Sequence, residues 1–310
     1  MTMTRLDAPA PAGAPPRRRR SRLRRTQAIA AWSLALPFVA LFVVFTIWPV
    51  ISSMLMSFTD LRSADLQTPF AVNLVGFDNY IQLFSDPLFY TVALNTAAYV
   101  IFGVPLTVVL ALVVALGLNN IKRLRGFFRV GYYLPVVTSI VAVAVVWRFL
   151  LQDNGLVNRF LGLIGINGPD WLNSTTWALP ALILMAAWRS LGTLMIIFLA
   201  GLQTVPKELY EAAEVDGAGR GSRFWHITLP GMRPTLLFGT VITSVGFLQF
   251  FEEPFVMTQG GPLDSTRSVA FYIFDQFGFG NYSYAAAASY VLFIVIVALT
   301  AVQFRLFRER

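Results

Sequence analysis

Long apolar runs alternate with short polar stretches along the chain, and six of the runs are each long enough to cross a bilayer. They fall near residues 30–54, 92–116, 127–151, 177–201, 235–257 and 284–304. A backbone in hydrocarbon must satisfy its N–H and C=O groups internally, so these runs are expected to be helices. The pattern predicts an all-α, polytopic membrane protein with six transmembrane helices.

The polar connections sort by charge. One set carries the basic residues: the N-terminal stretch, the turn with Lys122, Arg123 and Arg125, the long connection with Lys207, Arg220, Arg223 and Arg233, and the tail with Arg305, Arg308 and Arg310. The other three carry one arginine each (Arg62, Arg159 and Arg267) together with Asp60, Asp65, Asp78, Asp86, Asp153 and Asp170. The positive-inside rule then puts the first set, and both termini, in the cytoplasm. An even number of spans agrees with that. Residues 1–27, rich in Pro, Ala and Arg, are expected to form a disordered basic cytoplasmic tail ahead of a transmembrane domain over 28–310. The first run exceeds the about 7–15 residues of a signal-peptide core, and no small-x-small site follows it, so it is expected to be retained.

Composition sharpens this picture. The chain is 56% hydrophobic and 13% charged, against roughly a quarter charged in soluble domains. The net charge of +8 is concentrated in Arg17 to Arg20, Arg22, Arg24 and Arg25, beside the first span. There it serves orientation and lipid headgroups rather than nucleic acid. Cysteine is absent and His226 is the single histidine. That excludes disulfides, Cys/His zinc sites and thiol nucleophiles. Ser222 lies four residues before His226, but a dyad needs more than neighbouring letters. No phosphate loop of the GxxxxGK[ST] type occurs. No catalytic or metal site is expected, and no cofactor in this chain.

The connection 204–234 is long for a link between two helices. It reads TVPKELYEAAEVDGAGRGSRFWHITLPGMRP. Thr204 can cap a helix whose first turn accepts Pro206, and Glu208 lies near its positive end. That predicts a helix over Lys207–Val215, broken by Gly217, Gly219 and Gly221, with a further turn over 223–229 before Pro230. A short rigid helix projecting from a membrane domain is a docking element.

Glu211-Ala212-Ala213, Asp216-Gly217-Ala218, Phe224, Ile227-Thr228-Leu229-Pro230 and Pro234 together resemble the EAA loop of ABC-importer permeases. The resemblance implies that this loop carries a coupling helix seated in a cleft of an ATPase subunit. Glu211 would contact that subunit, Ala212 and Ala213 would permit close approach, and Gly217 would permit the turn. Asp216, Ala218, Leu229 and Pro230 complete the motif. Gly76-Phe77-Asp78-Asn79-Tyr80, Ser85-Asp86-Pro87, Asn95-Thr96, Leu134-Pro135, Trp147-Arg148-Phe149 and Gly155-Leu156-Val157-Asn158 extend the likeness, as does Phe250 to Thr258 running into Gly260-Gly261-Pro262. These resemble the maltose and glycerol-phosphate class, specifically the first of its two dissimilar permeases. Glu252-Glu253 stands where the pattern often has Asp-Glu, and the extra N-terminal helices of the maltose version are missing.

The resemblance implies a type I ABC-importer permease fold in a bacterial cell membrane. It implies a second, dissimilar permease, two ATPase subunits or domains holding ATP and magnesium, and an external solute-binding protein. The cargo would be a sugar such as trehalose or maltose, or alternatively glycerol phosphate. A self-sufficient secondary transporter using Arg189 and Glu252 as a charge relay is the competing reading, and it has no use for the coupling loop.

Arg189 falls near the middle of the fourth span, where an arginine costs about 2.5–3.5 kcal/mol on insertion and therefore should face a cavity or a partner. Glu252 or Glu253 would pair with it, or it would line the sugar path with Gln249 and Ser190. Sugars present hydroxyls around flat apolar faces. Asn95, Tyr99, Trp147, Trp188, Phe247, Gln249 and Phe250 supply matching chemistry. Arg148, at a span end, can snorkel to headgroups.

Overall fold

The structure, a computed structural model, describes residues 17–67, 72–121 and 123–307. The chain divides into two compact units, Met1–Ser53 and Met54–Arg310. Regular structure among the described residues is helical throughout, apart from an isolated bridge between Thr59 and Leu74.

Helix α1 (Arg17–Phe42) runs through a π-helical turn (Val43–Ile47) into α2 (Trp48–Met56), which crosses the boundary at Ser53. The continuous stretch Arg25–Met56 is long and apolar enough to cross a membrane. Pro49 explains the wide turn. A proline has no N–H and its ring crowds the carbonyl four residues back, so the ladder shifts by one and Trp48 N–H donates to Val43 O. The same device recurs at Phe224–Thr228, where Leu229 N–H donates to Phe224 O just ahead of Pro230. The tail expected over 1–27 lies outside the described residues as far as residue 16, and from Arg17 the chain is helical. Lys122, Arg308 and Arg310, which entered the orientation argument, also lie outside them.

The second unit is built on α4 (Pro87–Asn120) packed along α8 (Ala178–Thr204), with α12 (Arg233–Leu248) against both and α15 (Tyr282–Phe307) against α12; the short helices α3 (Asp78–Ser85) and α7 (Leu156–Leu163) add to it. Asp86 starts α4 by accepting Leu88 N–H at 2.8 Å, with Pro87 at the first helical position. Two buried clusters fill the α4–α8 seam. One centres on Tyr99, Leu182, Met185 and Phe247, the other on Ala111, Met195, Phe198 and Met232. Small residues set the helix spacing. A Cβ on Gly192 of α8 would lie 2.2 Å from the Tyr132 carbonyl oxygen of α5 (Arg125–Val137), so only glycine permits that approach.

The second and sixth expected spans fall within α4 and α15, and the fourth matches α8 with Trp177 as its N-cap. Two others are corrected. The run 127–151 is not one helix but α5 and α6 (Ile140–Leu150), bent by 98°. Pro135 removes a donor and the β-branched Val136, Val137 and Thr138 follow it, so the helix stops. At the break Thr138 Oγ1 donates to Leu134 O at 2.9 Å, keeping the freed carbonyl satisfied. The run 235–257 likewise ends at Leu248 and resumes as the short α13 (Glu252–Met257). Pro254 would crowd the carbonyl of Phe250 in a continuous helix, and that carbonyl is instead taken by Ser268 Oγ at 2.6 Å.

Candidate functional site

Helix α9 (Lys207–Val215) has the bounds expected from sequence. Its start differs. Thr204 is not the cap: it closes α8, its hydroxyl donates to Gly201 O at 2.8 Å, and Pro206 occupies the N-cap position. The C-terminus is fixed by backbone bonds that need Gly217. With Gly217 at φ +75°, its N–H reaches Glu214 O at 3.1 Å and the Ala218 N–H reaches Ala213 O at 2.8 Å. This pair of bonds is a Schellman motif, and the left-handed residue it requires favours glycine.

The return path is helical from Arg220 to Gly231, passing through α10 (Arg220–Arg223), the π-helical turn and α11 (Leu229–Gly231). It is longer than the single turn expected over 223–229. Tyr210 Oη and Thr228 Oγ1 lie 2.9 Å apart, and Arg223 pairs with Glu214 at 3.2 Å. One side of α9 is thus fastened down. Glu208, Leu209, Glu211, Ala212 and Val215 remain exposed, as do Asp216 and Gly217. Ala213, Ala218, Leu229 and Pro230 are half-buried at the base. The product is a short, rigid helix presenting a mixed apolar and acidic face.

Inside the bundle, a cavity of about 260 Å³ is lined by Arg189, Ser190, Thr193, Thr243, Glu253 and the rings of Tyr99, Phe247 and Phe250. Tyr99 and Phe250 stack with centroids 3.7 Å apart. The Arg189 Nε, the Tyr99 hydroxyl and one Glu253 carboxylate oxygen are buried without a hydrogen-bond partner among the described residues. The expected ion pair between Arg189 and a glutamate is not formed among the described residues. Both groups instead face the same cavity. Buried polar groups left unpaired by their own chain cost several kcal/mol unless something else satisfies them, on the order of 2–7 by transfer scales. The cavity thus sets buried hydrogen-bonding groups beside an aromatic wall.

Several expected path residues lie elsewhere. Gln249 and Glu252 are exposed and do not line the cavity. Trp188 belongs to a separate apolar hollow with Phe127, Tyr132 and Pro135, and packs against Trp147 at 5.7 Å. It sits one residue before Arg189, hence on a different side of α8. Asn95 is a fastener: its amide donates to the carbonyls of Asp264 (2.7 Å) and Arg267 (3.0 Å). With Thr96, which accepts Val269 N–H at 3.0 Å, it ties the 264–269 segment to α4. Arg267 there bridges Asp264 at 2.8 Å and Asp275 at 3.4 Å. Burial raises the Asp275 carboxyl above the usual range, and Arg267 opposes that shift. Thr193 and Thr243 are cavity residues the sequence reading missed. Thr193 stands one turn after Arg189, a spacing that marks a shared face.

Comparison with known proteins follows the same outline. A family model described as "Binding-protein-dependent transport system inner membrane component" matches residues 98–308. The lactose transport system permease LacF of Rhizobium radiobacter is 36% identical over 298 residues, covering 94% of this chain and 98% of its own. A chain from the crystal structure of a bacterial ABC transporter involved in import of the acidic polysaccharide alginate superposes with a TM-score of 0.76 at 27% identity, over 93% of this chain and 98% of that one. A second structure, of a bacterial alginate ABC transporter in complex with an alginate pentasaccharide-bound periplasmic protein, gives 0.74 at 27% identity over 91% and 95%.

Proposed function

This chain belongs to the family of binding-protein-dependent transport system inner membrane components, and from that premise we propose that it moves a disaccharide or oligosaccharide inward through the Arg189–Glu253 cavity. It is a transport permease of a sugar ABC importer, with the type I importer fold, and not an enzyme. Its immediate partner in the bilayer is a second, dissimilar permease. An external binding protein delivers the saccharide, and two ATPase subunits or domains, which hold the ATP and magnesium, dock on the exposed side of α9. Both termini and α9 lie on the cytoplasmic side, in keeping with the basic connections.

The observation that carries the substrate class is the cavity lining. The buried rings of Tyr99, Phe247 and Phe250, the first and last stacked on each other, form its apolar wall, while Arg189, Ser190, Thr193 and Glu253 offer hydrogen-bonding groups beside it. A saccharide has flat C–H faces and peripheral hydroxyls, so it satisfies both sets at once. A single arginine does not suit a phosphorylated solute, because it leaves most of a phosphate's double negative charge uncompensated in the cavity. Glu211, Ala212 and Gly217 make the face on which the ATPase pulls. ATP binding brings the two ATPase domains together and opens the cavity outward; hydrolysis returns it inward. A ligand-driven shift of this kind needs only that the two ATPase states bind the two permease conformations with different affinity.

The test is uptake by proteoliposomes holding the complete importer and its binding protein, with trehalose, maltose and lactose as probes. Uptake of at least one probe is expected to require ATP inside the vesicle and to survive collapse of ion gradients. Uptake that persists without the ATPase and stops when the gradients collapse would instead make the chain a secondary transporter.

A further inference from the structure

A second, larger hollow lies at the end of the bundle that carries α9. About 930 Å³ in volume, it is walled by the last turns of α4 and α8, by α9 and by α10. Every charged side chain lining it is cationic: Lys207, Arg220 and Arg223. Arg223 is partly neutralised by Glu214 at 3.2 Å, whereas Lys207 and Arg220 form no ion pair among the described residues. Asn120 and Gln203 add amides at the rim.

The walls place this hollow at a particular depth. Asn120 and Thr204 are the terminal residues of the two membrane helices α4 and α8, so the cations stand at the level where hydrocarbon gives way to headgroups. An exposed apolar stripe leads to it. Phe102, Leu106, Val109 and Val113 of α4 are exposed large side chains, spaced three or four apart on one face. The stripe continues directly into Leu116, which lines the hollow. Apolar surface of this length below a cationic basin matches the two parts of a phospholipid. Basic pockets at the cytoplasmic ends of membrane helices bind anionic headgroups for this reason.

We infer that this hollow holds the phosphate of an anionic phospholipid, with the acyl chains along the α4 stripe. The inference rests on the reading that α9 is cytoplasmic. Around α9, Tyr210 faces the hollow and Ala212 is exposed on the far side, with Glu211 between them one turn after Lys207, so the lipid and an ATPase occupy different sides of one short helix. An anionic lipid would thereby brace α9 against the membrane domain, and loss of the lipid would loosen the coupling element without touching the saccharide cavity.

The experiment is native mass spectrometry of the complete importer, exchanged into nanodiscs of phosphatidylglycerol or of phosphatidylcholine and released gently. The expected result is retained phosphatidylglycerol, little retained phosphatidylcholine, and about fivefold weaker retention for each of Lys207→Ala and Arg220→Ala, with Arg220→Lys restoring most of it. ATPase subunits should co-purify unchanged. Equal retention of the two lipids, or retention indifferent to both alanine variants, overturns the site. So does displacement of the lipid signal by inorganic phosphate at equal concentration, which would make it a free-anion site. Loss of ATPase co-purification with lipid retention unchanged would assign the cations to a protein partner. The orientation is checked separately, because the chain lacks cysteine. An Ala212→Cys variant labelled from outside by an impermeant thiol reagent would sink the cytoplasmic reading whatever the lipid result.

Discussion

Gly217 sits at φ +75° with nothing within 4 Å of where a Cβ would go. Substitution there strains the backbone rather than the packing, by roughly 1–2 kcal/mol for a left-handed residue. Gly217→Ala is therefore expected to fray the end of α9 and to lower the binding-protein-stimulated ATPase rate of the reconstituted importer, while saccharide-independent assembly persists. An unchanged stimulated rate would mean that the Schellman turn does not matter to coupling. Arg189 is the residue on which the cavity reading turns. Removing a charged hydrogen-bonding group costs about 1.5–3 kcal/mol, so Arg189→Ala should cut saccharide uptake about tenfold to a hundredfold with normal assembly. Normal uptake by an assembled variant would remove it from the path. At this scale the sequence was a partial guide. A charge in mid-span announces itself by its cost, which is why Arg189 was legible. Glu252 and Glu253 are adjacent and chemically identical, and only the local backbone decides that Glu253 is buried and Glu252 is not. Asn95 shows the limit from the other side: an amide in a span suits a sugar as well as a carbonyl, and here two carbonyls claim it.

Elements were legible where punctuation and periodicity agree. Pro206 before α9 and Gly217 after it bracket a polar helical segment, and its bounds follow. The breaks inside the apolar runs were not legible, because hydropathy does not change across them. The run 127–151 remains apolar through a 98° bend, and what turns the chain is Pro135 together with a stretch of β-branched residues. The gap between α12 and α13 depends on a tertiary partner, since the Phe250 carbonyl is bonded by Ser268 from 18 residues away. The same hydroxyl accepts the Phe271 N–H at 3.0 Å to start α14 (Val269–Gly278). Ser268→Ala loses both roles. It is expected to destabilise the domain by about 1–3 kcal/mol, read as a lower melting temperature in detergent. Ser268→Thr, which keeps the hydroxyl, should recover much of it. An alanine variant as stable as the wild type would show that the gap is set by Pro254 alone.

The whole molecule is a membrane domain whose apolar surface exceeds what its own core can hide. Large side chains such as Phe102, Val113 and Ile294 are exposed, as expected where lipid or a second membrane subunit replaces water. The all-helical class and the number of runs were plain from hydropathy, because the bilayer permits few alternatives. The pairing of α5 with α8 was not, since helix packing in lipid is decided by small residues such as Gly192 rather than by apolar character. The composition of the assembled importer decides the matter. The importer is purified from its native membrane in mild detergent, and the proteins that accompany this chain are quantified by mass spectrometry. The expected result is one dissimilar permease per copy of this chain, with two ATPase domains, and loss of the ATPase on Glu211→Arg. Recovery of the chain alone or as a homodimer, reproducibly and without an ATPase, would contradict it.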